Sequence, residues 1–340
     1  MRKGDMRYFH FPRLAGVEAL RLDERDAPSP GSRQVLVRMR SWSLNYRDLL
    51  IARDAYGRDV RPGLVPLSDG AGEVVEVGTE VTRWRAGDRV VGVFMPRWIA
   101  GAADEGKVAE ALGASVDGVL AEYVAFDEQA LVAVPSYLDF SEAATLPCAA
   151  VTAWHSVVAR GGVAPGQRVL TLGSGGVSVF ALQFAAAGGA RVVATSSSTG
   201  KLEVLRDLGA SDLVNYRETP AWGKEVRRLT GGGVDHVVEV GGAGTLAQSI
   251  AAVRVGGMIS LIGVLSGGDG VNPDLILRRG LTVHGLSVGS REMFEAMNRA
   301  LEQHRIRPII DRTFPFSDAL AAFRHFESRN HVGKVVITAD

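Results

Sequence analysis

From Gln167 onward the chain runs through six short, almost wholly apolar segments, most of them separated by stretches with apolar residues at helical spacing, and few architectures accept that pattern. The apolar runs are RVLTLG, ARVVATS, SDLVNY, VDHVVEV, GMISLIG and LTVHGLS; between them lie VSVFALQFAAAGG, KLEVLRDLG, AWGKEVRRLTGG and TLAQSIAAVRVG. A strand that is apolar on both sides needs cover on both faces, and a helix supplies the right-handed crossover to a parallel neighbour. Most of the helical stretches end in glycine, which can act as a C-cap. The expected fold class is therefore α/β, with a doubly wound parallel sheet.

The first third has a different texture. QVLVRMRSWSL, AGEVVEVG, GDRVVGVF and AEYVAF read as strands punctuated by glycine, with one helix over NYRDLLIARDAY. Residues 95–120 contain small residues and no period, which reads as a surface excursion. After Gly289 come a helix, SREMFEAMNRALEQHRI, a β-like IIDRTFPF, a helix opened by Ser317 as its N-cap, and a last strand in KVVITAD. That tail is too short for a domain and is expected to rejoin the N-terminal lobe. The expected boundaries are 1–128, 129–289 and 290–340.

Composition narrows the partners. Across 340 residues, 38 basic side chains balance 38 acidic ones, so no global field draws the chain to nucleic acid or to an anionic membrane. No run reaches the roughly 18 apolar residues that a membrane-spanning helix needs. The single cysteine, Cys148, excludes an intramolecular disulfide framework and suits a reducing compartment, so the expected location is cytoplasmic.

VLTLGSGGVS places Gly173, Ser174, Gly175, Gly176, Val177 and Ser178 between a strand and a helix. Glycine lets a backbone turn sharply and approach a pyrophosphate, and the helix N-terminus offers unpaired N–H groups to its oxygens. Ser178 stands where the usual pattern has its third glycine. About 20 residues further on, an acid would bind the ribose 2′-hydroxyl of NAD. Here Ser196, Ser197, Ser198 and Lys201 stand at that strand end, short donors and a positive charge suited to a 2′-phosphate, so the expected cofactor is NADP(H). The competing account is that these serines cap the following helix.

PLSDGAGEVVEVG (66–78), AGDRV (86–90), LPCAAVTAWHSV (146–157), VLTLGSGGVSVFALQFA (169–185), LRDLGASDLVNY (205–216), VVEVGG (237–242) and HVGKVVI (331–337) together resemble the medium-chain dehydrogenase/reductase superfamily, over essentially the whole chain. SLNYRD and TSSSTGK resemble its zinc-free quinone oxidoreductase and enoyl reductase branches. The resemblance implies a strand-rich GroES-like catalytic domain beside a Rossmann dinucleotide-binding domain. It also implies a homo-oligomer, dimer or tetramer, with LTVHGLS as the candidate edge strand. Carried onto this sequence, the zinc-ligand positions of the superfamily's alcohol dehydrogenases fall on Asn45, Ser68, Asp69 and Cys148. Neutral Asn45 and Ser68 are poor ligands, so no metal site is expected. Cys148 can be a residual ligand or reactive thiol, or a packed core residue. Asp69 can be a catalytic acid or a turn residue beside Gly70.

Without zinc, hydrogen-bond donors must meet the charge that builds on the acceptor oxygen during hydride transfer. The resemblance puts Asn45 and Tyr46 beside the nicotinamide and Thr152 near its carboxamide; the competing account of Tyr46 is a core tyrosine beginning a helix. Val240, Gly241 and Gly242, then Ile262, Gly263 and Val264, end the fourth and fifth strands, where ligands meet such sheets. Tyr216, closing LVNY, is counted with the cofactor residues, and Lys334 is expected to approach the cofactor phosphates. The reading is an NADPH-dependent reductase of a small electrophile such as a quinone, an enone or another activated carbonyl or alkene. Residues 53–62 and 95–120 are expected to rim its pocket. The alternatives are a zinc-type alcohol dehydrogenase with degenerate ligands and a non-catalytic, crystallin-like NADPH-binding protein.

Overall fold

The computed structural model describes residues 5–57, 60–263, 265–267 and 271–340. It divides into two compact units, Met1–Val151 with Gly289–Asp340, and Thr152–Val288. The first boundary therefore falls at Val151, not at 128, because the strand after residue 128 still pairs within the first unit's sheet.

In chain order the first unit contributes β1 (Asp5–His10), β2 (Arg21–Asp26), β3 (Gln34–Ser43), α1 (Tyr46–Ala52), β4 (Asp69–Val77), β5 (Arg89–Gly92), β6 (Tyr123–Asp127) and β7 (Leu131–Ala133). The second contributes β8 (Arg168–Leu172), α2 (Gly176–Ala187), β9 (Arg191–Ser196), α3 (Thr199–Asp207), β10 (Ala210–Asn215), α4 (Trp222–Leu229), β11 (Val234–Glu239), α5 (Ala243–Ala252), β12 (Val253–Leu261) and β13 (Thr282–Gly285). The tail returns to the first unit with α6 (Arg291–His304), β14 (Ile310–Pro315), α7 (Ala319–Glu327) and β15 (Lys334–Thr338).

The first unit is built on a seven-stranded sheet ordered β14-β15-β3-β4-β5-β7, with β6 also paired to β3. β15 runs antiparallel to β3 with Val336 opposite Ser43, a register that carries Lys334 to the residues just after β3. Trp42, Leu49, Phe126, Phe316, Phe323 and Ile337 share its core. Residues 95–120 are a surface excursion only over 100–106, which are exposed; Met95, Trp98, Leu112, Val119 and Leu120 towards its two ends are buried. Their backbone is stitched to residues 65–67, with Gly118 N donating to Val65 O at 2.7 Å and Val119 N to Leu67 O at 2.9 Å. Such packing in irregular backbone leaves no period to read. Ser317 does not cap α7; that position belongs to Asp318, while the Ser317 hydroxyl donates to Asp340 Oδ1 at 3.0 Å.

The second unit holds the six-stranded sheet, all parallel, in the order β10-β9-β8-β11-β12-β13. The chain winds outward from β8 through β10, then restarts at β11 on the other side, so the strand order reverses between β8 and β11. β13, from the LTVHGLS run, lies at the edge. No helix among the described residues is long and apolar enough to cross a membrane.

Burial pushes His236 in β11 down to about 4; its Nε2 lies 2.8 Å from Ser260 Oγ. Between pH 6.5 and 4 the unfolded chain binds a proton there that the folded chain does not. Stability present above pH 6.5 is therefore lost as pH falls through that window, by roughly 3 kcal/mol in all. Urea midpoints of wild type and His236→Asn should converge as pH falls from 6.5 to 4; parallel curves would exclude the assignment.

Candidate functional site

Candidate site residues lie in both units. In the second unit, the turn between β8 and α2 has Gly173 at φ +76°, a conformation that favours glycine, with no atom within 4 Å of where a Cβ would stand. The same space is open at Gly175, and α2 begins at Gly176, presenting its N–H groups to the opening. This cradle fits a pyrophosphate. Ser174 is buried beside it and Val177 is half-buried. Ser178 is not a ligand: it is buried, and its hydroxyl donates to Leu172 O at 2.6 Å, tying the helix back to β8.

At the end of β9, Ser196 is buried, Ser197 is half-exposed, and exposed Ser198 caps α3 by accepting from Lys201 N at 3.4 Å. The capping account of Ser198 is thus seen in the structure. β10 is parallel to β9 with Asn215 opposite Ser196, which brings Tyr216 and Arg217 to the same sheet edge. Both are exposed. Arg217 is a second cation that the sequence reading left out, although it directly follows the motif LVNY.

The carboxyl ends of β11, β12 and β13 open on a cavity of about 580 Å³ whose lining includes Gly242, Leu246, Ile262, Gly263 and Ser287. Gly263 is required there, since a Cβ would lie 1.7 Å from Val240 O. Val264 lies outside the described residues. The loop Val240–Gly242 is pinned by Glu239, a fully buried carboxylate that accepts from Gly241 N at 2.7 Å, Gly242 N at 3.0 Å and Thr245 Oγ1 at 2.6 Å, and also from Ser249 Oγ. Sequence reasoning missed Glu239; an acid set between Val238 and Val240, just before Gly241 and Gly242, was the available signal. Thr152 is buried in the helical turn Val151–Trp154.

In the first unit, the end of β3, the start of α1, the start of β4, a π-helical turn over Leu146–Ala150 and the start of β15 converge on one buried polar cluster. Its centre is Lys334, 2% exposed. The ammonium donates to Leu44 O at 2.6 Å and Asn45 Oδ1 at 2.5 Å, and lies 3.9 Å from Asp69 Oδ2. Lys334 is therefore spent inside this unit and does not reach toward cofactor phosphates as expected. Asp69 accepts from Ser68 Oγ at 2.7 Å and from Cys148 N at 3.2 Å. With both oxygens engaged and no exposure, Asp69 is the fixed anion of the cluster, not an acid open to substrate.

Asn45 is the other half of the device. An ammonium only donates, so the amide atom facing Lys334 is the oxygen, and Nδ2 is turned away from it. That Nδ2 is buried and has no hydrogen-bond partner. Asn45 N donates to Asp48 Oδ2 at 2.7 Å, and burial, opposed by Arg47, pushes Asp48 up to about 6. Tyr46 takes a separate partner: its hydroxyl oxygen accepts from Arg329 Nη2 at 3.1 Å, leaving its O–H able to donate elsewhere.

The residues at the zinc-ligand positions are thus brought together, but as a poor ligand set. Asn45 and Ser68 are neutral, and burial and then the Asp69 carboxylate push the Cys148 thiol far up. The cation beside Asp69 is the Lys334 ammonium, which a divalent ion would have to displace. Among the described residues no three His, Cys, Asp or Glu side chains are grouped to hold a metal.

Residues 31–136 match the family model described as alcohol dehydrogenase GroES-like domain, and residues 176–303 the one described as zinc-binding dehydrogenase. The zinc-type alcohol dehydrogenase-like protein C1773.06c of Schizosaccharomyces pombe (strain 972 / ATCC 24843) is 42% identical over 98% of this chain and 99% of its own. The chain belongs to the medium-chain dehydrogenase/reductase superfamily. Like its fellow members it is an oxidoreductase that takes a nicotinamide cofactor. The 2-methylene-furan-3-one reductase of Solanum lycopersicum is 32% identical over 98% of this chain and 79% of its own. A solved structure of an NAD-dependent alcohol dehydrogenase superposes at TM-score 0.91 with 34% identity, covering 98% of this chain and all of that one. The model whose description mentions zinc spans 176–303 and so contains none of Asn45, Ser68, Asp69 or Cys148.

Proposed function

We propose that this superfamily member is an NADPH-dependent reductase that transfers hydride to an enone, a quinone or another activated alkene or carbonyl, and that side-chain donors do the work zinc does in its alcohol dehydrogenase relatives. The observation that carries this reading is the buried, unpartnered Nδ2 of Asn45, aimed by a buried ammonium. A fixed N–H donor in a water-poor site is worth most where negative charge develops, and costs no reorganisation when it does. A bound nicotinamide supplies the hydride. Hydride addition at the β-carbon of an enone moves charge to the carbonyl oxygen, where Asn45 Nδ2–H and the Tyr46 hydroxyl can donate; a proton added at the α-carbon of that enolate then gives the saturated carbonyl compound. Alcohol oxidation suits these residues poorly, because deprotonating an unactivated alcohol calls for a metal or a strong base.

Zinc analysis together with an acceptor screen tests the reading. The expected result is NADPH oxidation by quinones or enals, with zinc well below one per chain and no effect of a chelator. Stoichiometric zinc with chelator-sensitive activity would overturn it.

The phosphorylated cofactor is supported by Ser197, Ser198, Lys201 and Arg217 at the ends of adjoining strands, with serine where NAD enzymes of this fold carry an acid. Lys201→Ala should lower the preference for NADPH over NADH, measured as a ratio of kcat/KM, by at least about tenfold, the low end for losing one charge-assisted bond to phosphate. Equal inhibition of the wild type by 2′,5′-ADP and AMP would refute the assignment.

A further inference from the structure

Arg47, second residue of α1, plays no part in the reaction as described, yet its side chain is buried with only 7% exposed. Nη1 donates to Leu112 O at 2.8 Å. The Phe94 and Tyr56 rings lie 4.6 and 5.0 Å from Cζ. Asp48 approaches the same Nη1, with Oδ1 at 3.9 Å, while its other oxygen accepts from Asn45 N. These contacts account for one nitrogen and for the π-faced surroundings of the guanidinium. They leave the Nε–Nη2 edge, where both nitrogens are buried and neither has a hydrogen-bond partner.

Two parallel N–H groups on one edge of a guanidinium match the two oxygens of a carboxylate. Leaving both unpaired beside two aromatic rings is costly, and an acceptor that pairs with both nitrogens recovers the cost. We propose that the Nε–Nη2 edge of Arg47 binds a carboxylate carried by the substrate, so that the electrophile is an unsaturated or oxo compound bearing an acid group. The two-nitrogen edge matches the two oxygens of one carboxylate, and with Asp48 already 3.9 Å from Nη1 the guanidinium has no charge to spare for a phosphate dianion. The proposal rests on the reductase reading for the chemistry at the acceptor carbon, and on Arg47 alone for the acid group.

The test compares (E)-4-oxopent-2-enoate with its methyl ester as acceptors for NADPH. The ester is the better electrophile, so a wild-type kcat/KM at least about tenfold higher for the acid reports recognition and not reactivity. Arg47→Met should bring the ratio down to one or below and Arg47→Lys should leave it in between. A wild-type ratio at or below one, or an Arg47→Met ratio equal to the wild type's, overturns the proposal. Calorimetric titration with 4-oxopentanoate and methyl 4-oxopentanoate, without NADPH, separates the two readings and needs no variant. Binding of the acid alone, with neither enone turned over, supports the Arg47 site and removes the reductase reading. Turnover of the ester with no binding of 4-oxopentanoate removes the Arg47 site and leaves the reductase.

Discussion

Replacing Asn45 by alanine is expected to lower kcat by on the order of 100-fold at saturating NADPH and acceptor, the cost of one preorganised donor to a developing oxyanion. The expectation follows from how the amide is held. Lys334 fixes Oδ1, the N-cap position fixes the backbone, and the side chain is 7% exposed, so Nδ2 has one orientation before substrate arrives. Alanine also leaves a gap beside Lys334, and the more telling variant is Asn45→Asp. Its carboxylate keeps an acceptor for the ammonium, so folding survives, but an ionised carboxylate has no N–H to give. Stopped-flow measurement of NADPH oxidation should find Asn45→Asp slow as well, with thermal unfolding near that of the wild type. A wild-type rate in Asn45→Asp would remove the amide from the mechanism and with it the main support for zinc-free reduction.

Much of this chain was legible because the relevant physics is local. Six apolar strands and glycine-ended helices prescribe a parallel sheet whatever the rest does, and Gly173 and Gly175 sit where a turn from strand to helix needs them. The polar cluster was legible only as separate residues. Asn45, Asp69 and Cys148 were picked out, but Lys334 was sent to the wrong partner, since only the β15–β3 pairing shows that it meets Leu44 and Asn45. The ends of 95–120 misled for the opposite reason: irregular backbone such as residues 118–120, held by hydrogen bonds to residues 65–67, has neither period to betray its burial. Glu239 left a signal that went unused, an acid set between Val238 and Val240; Arg47, beside Asp48 in the sequence, left none. What no sequence pattern carries is which donors stay unpaired, and Nδ2 of Asn45 and the Nε–Nη2 edge of Arg47 are the atoms on which the functional reading depends.

Lys334→Met should produce two separable losses: about 3 kcal/mol of stability and at least about a tenfold fall in kcat. The first arises because Asp69 is fully buried, and without the ammonium its charge is met only by Ser68 Oγ and Cys148 N. The 3.9 Å separation from Asp69 Oδ2 puts the expected loss at the low end for breaking a buried pair. The second arises because Asn45 Oδ1 loses the partner that tells oxygen from nitrogen, so the amide is free to turn its acceptor toward the developing charge. Adding Asp69→Asn tells the two apart. Removing the stranded carboxylate should restore most of the urea midpoint lost in Lys334→Met, while kcat stays low, because nothing has returned to orient Asn45. If the double variant regains its rate along with its stability, Lys334 serves only to neutralise Asp69, and the aiming of Asn45 must come from elsewhere in the cluster.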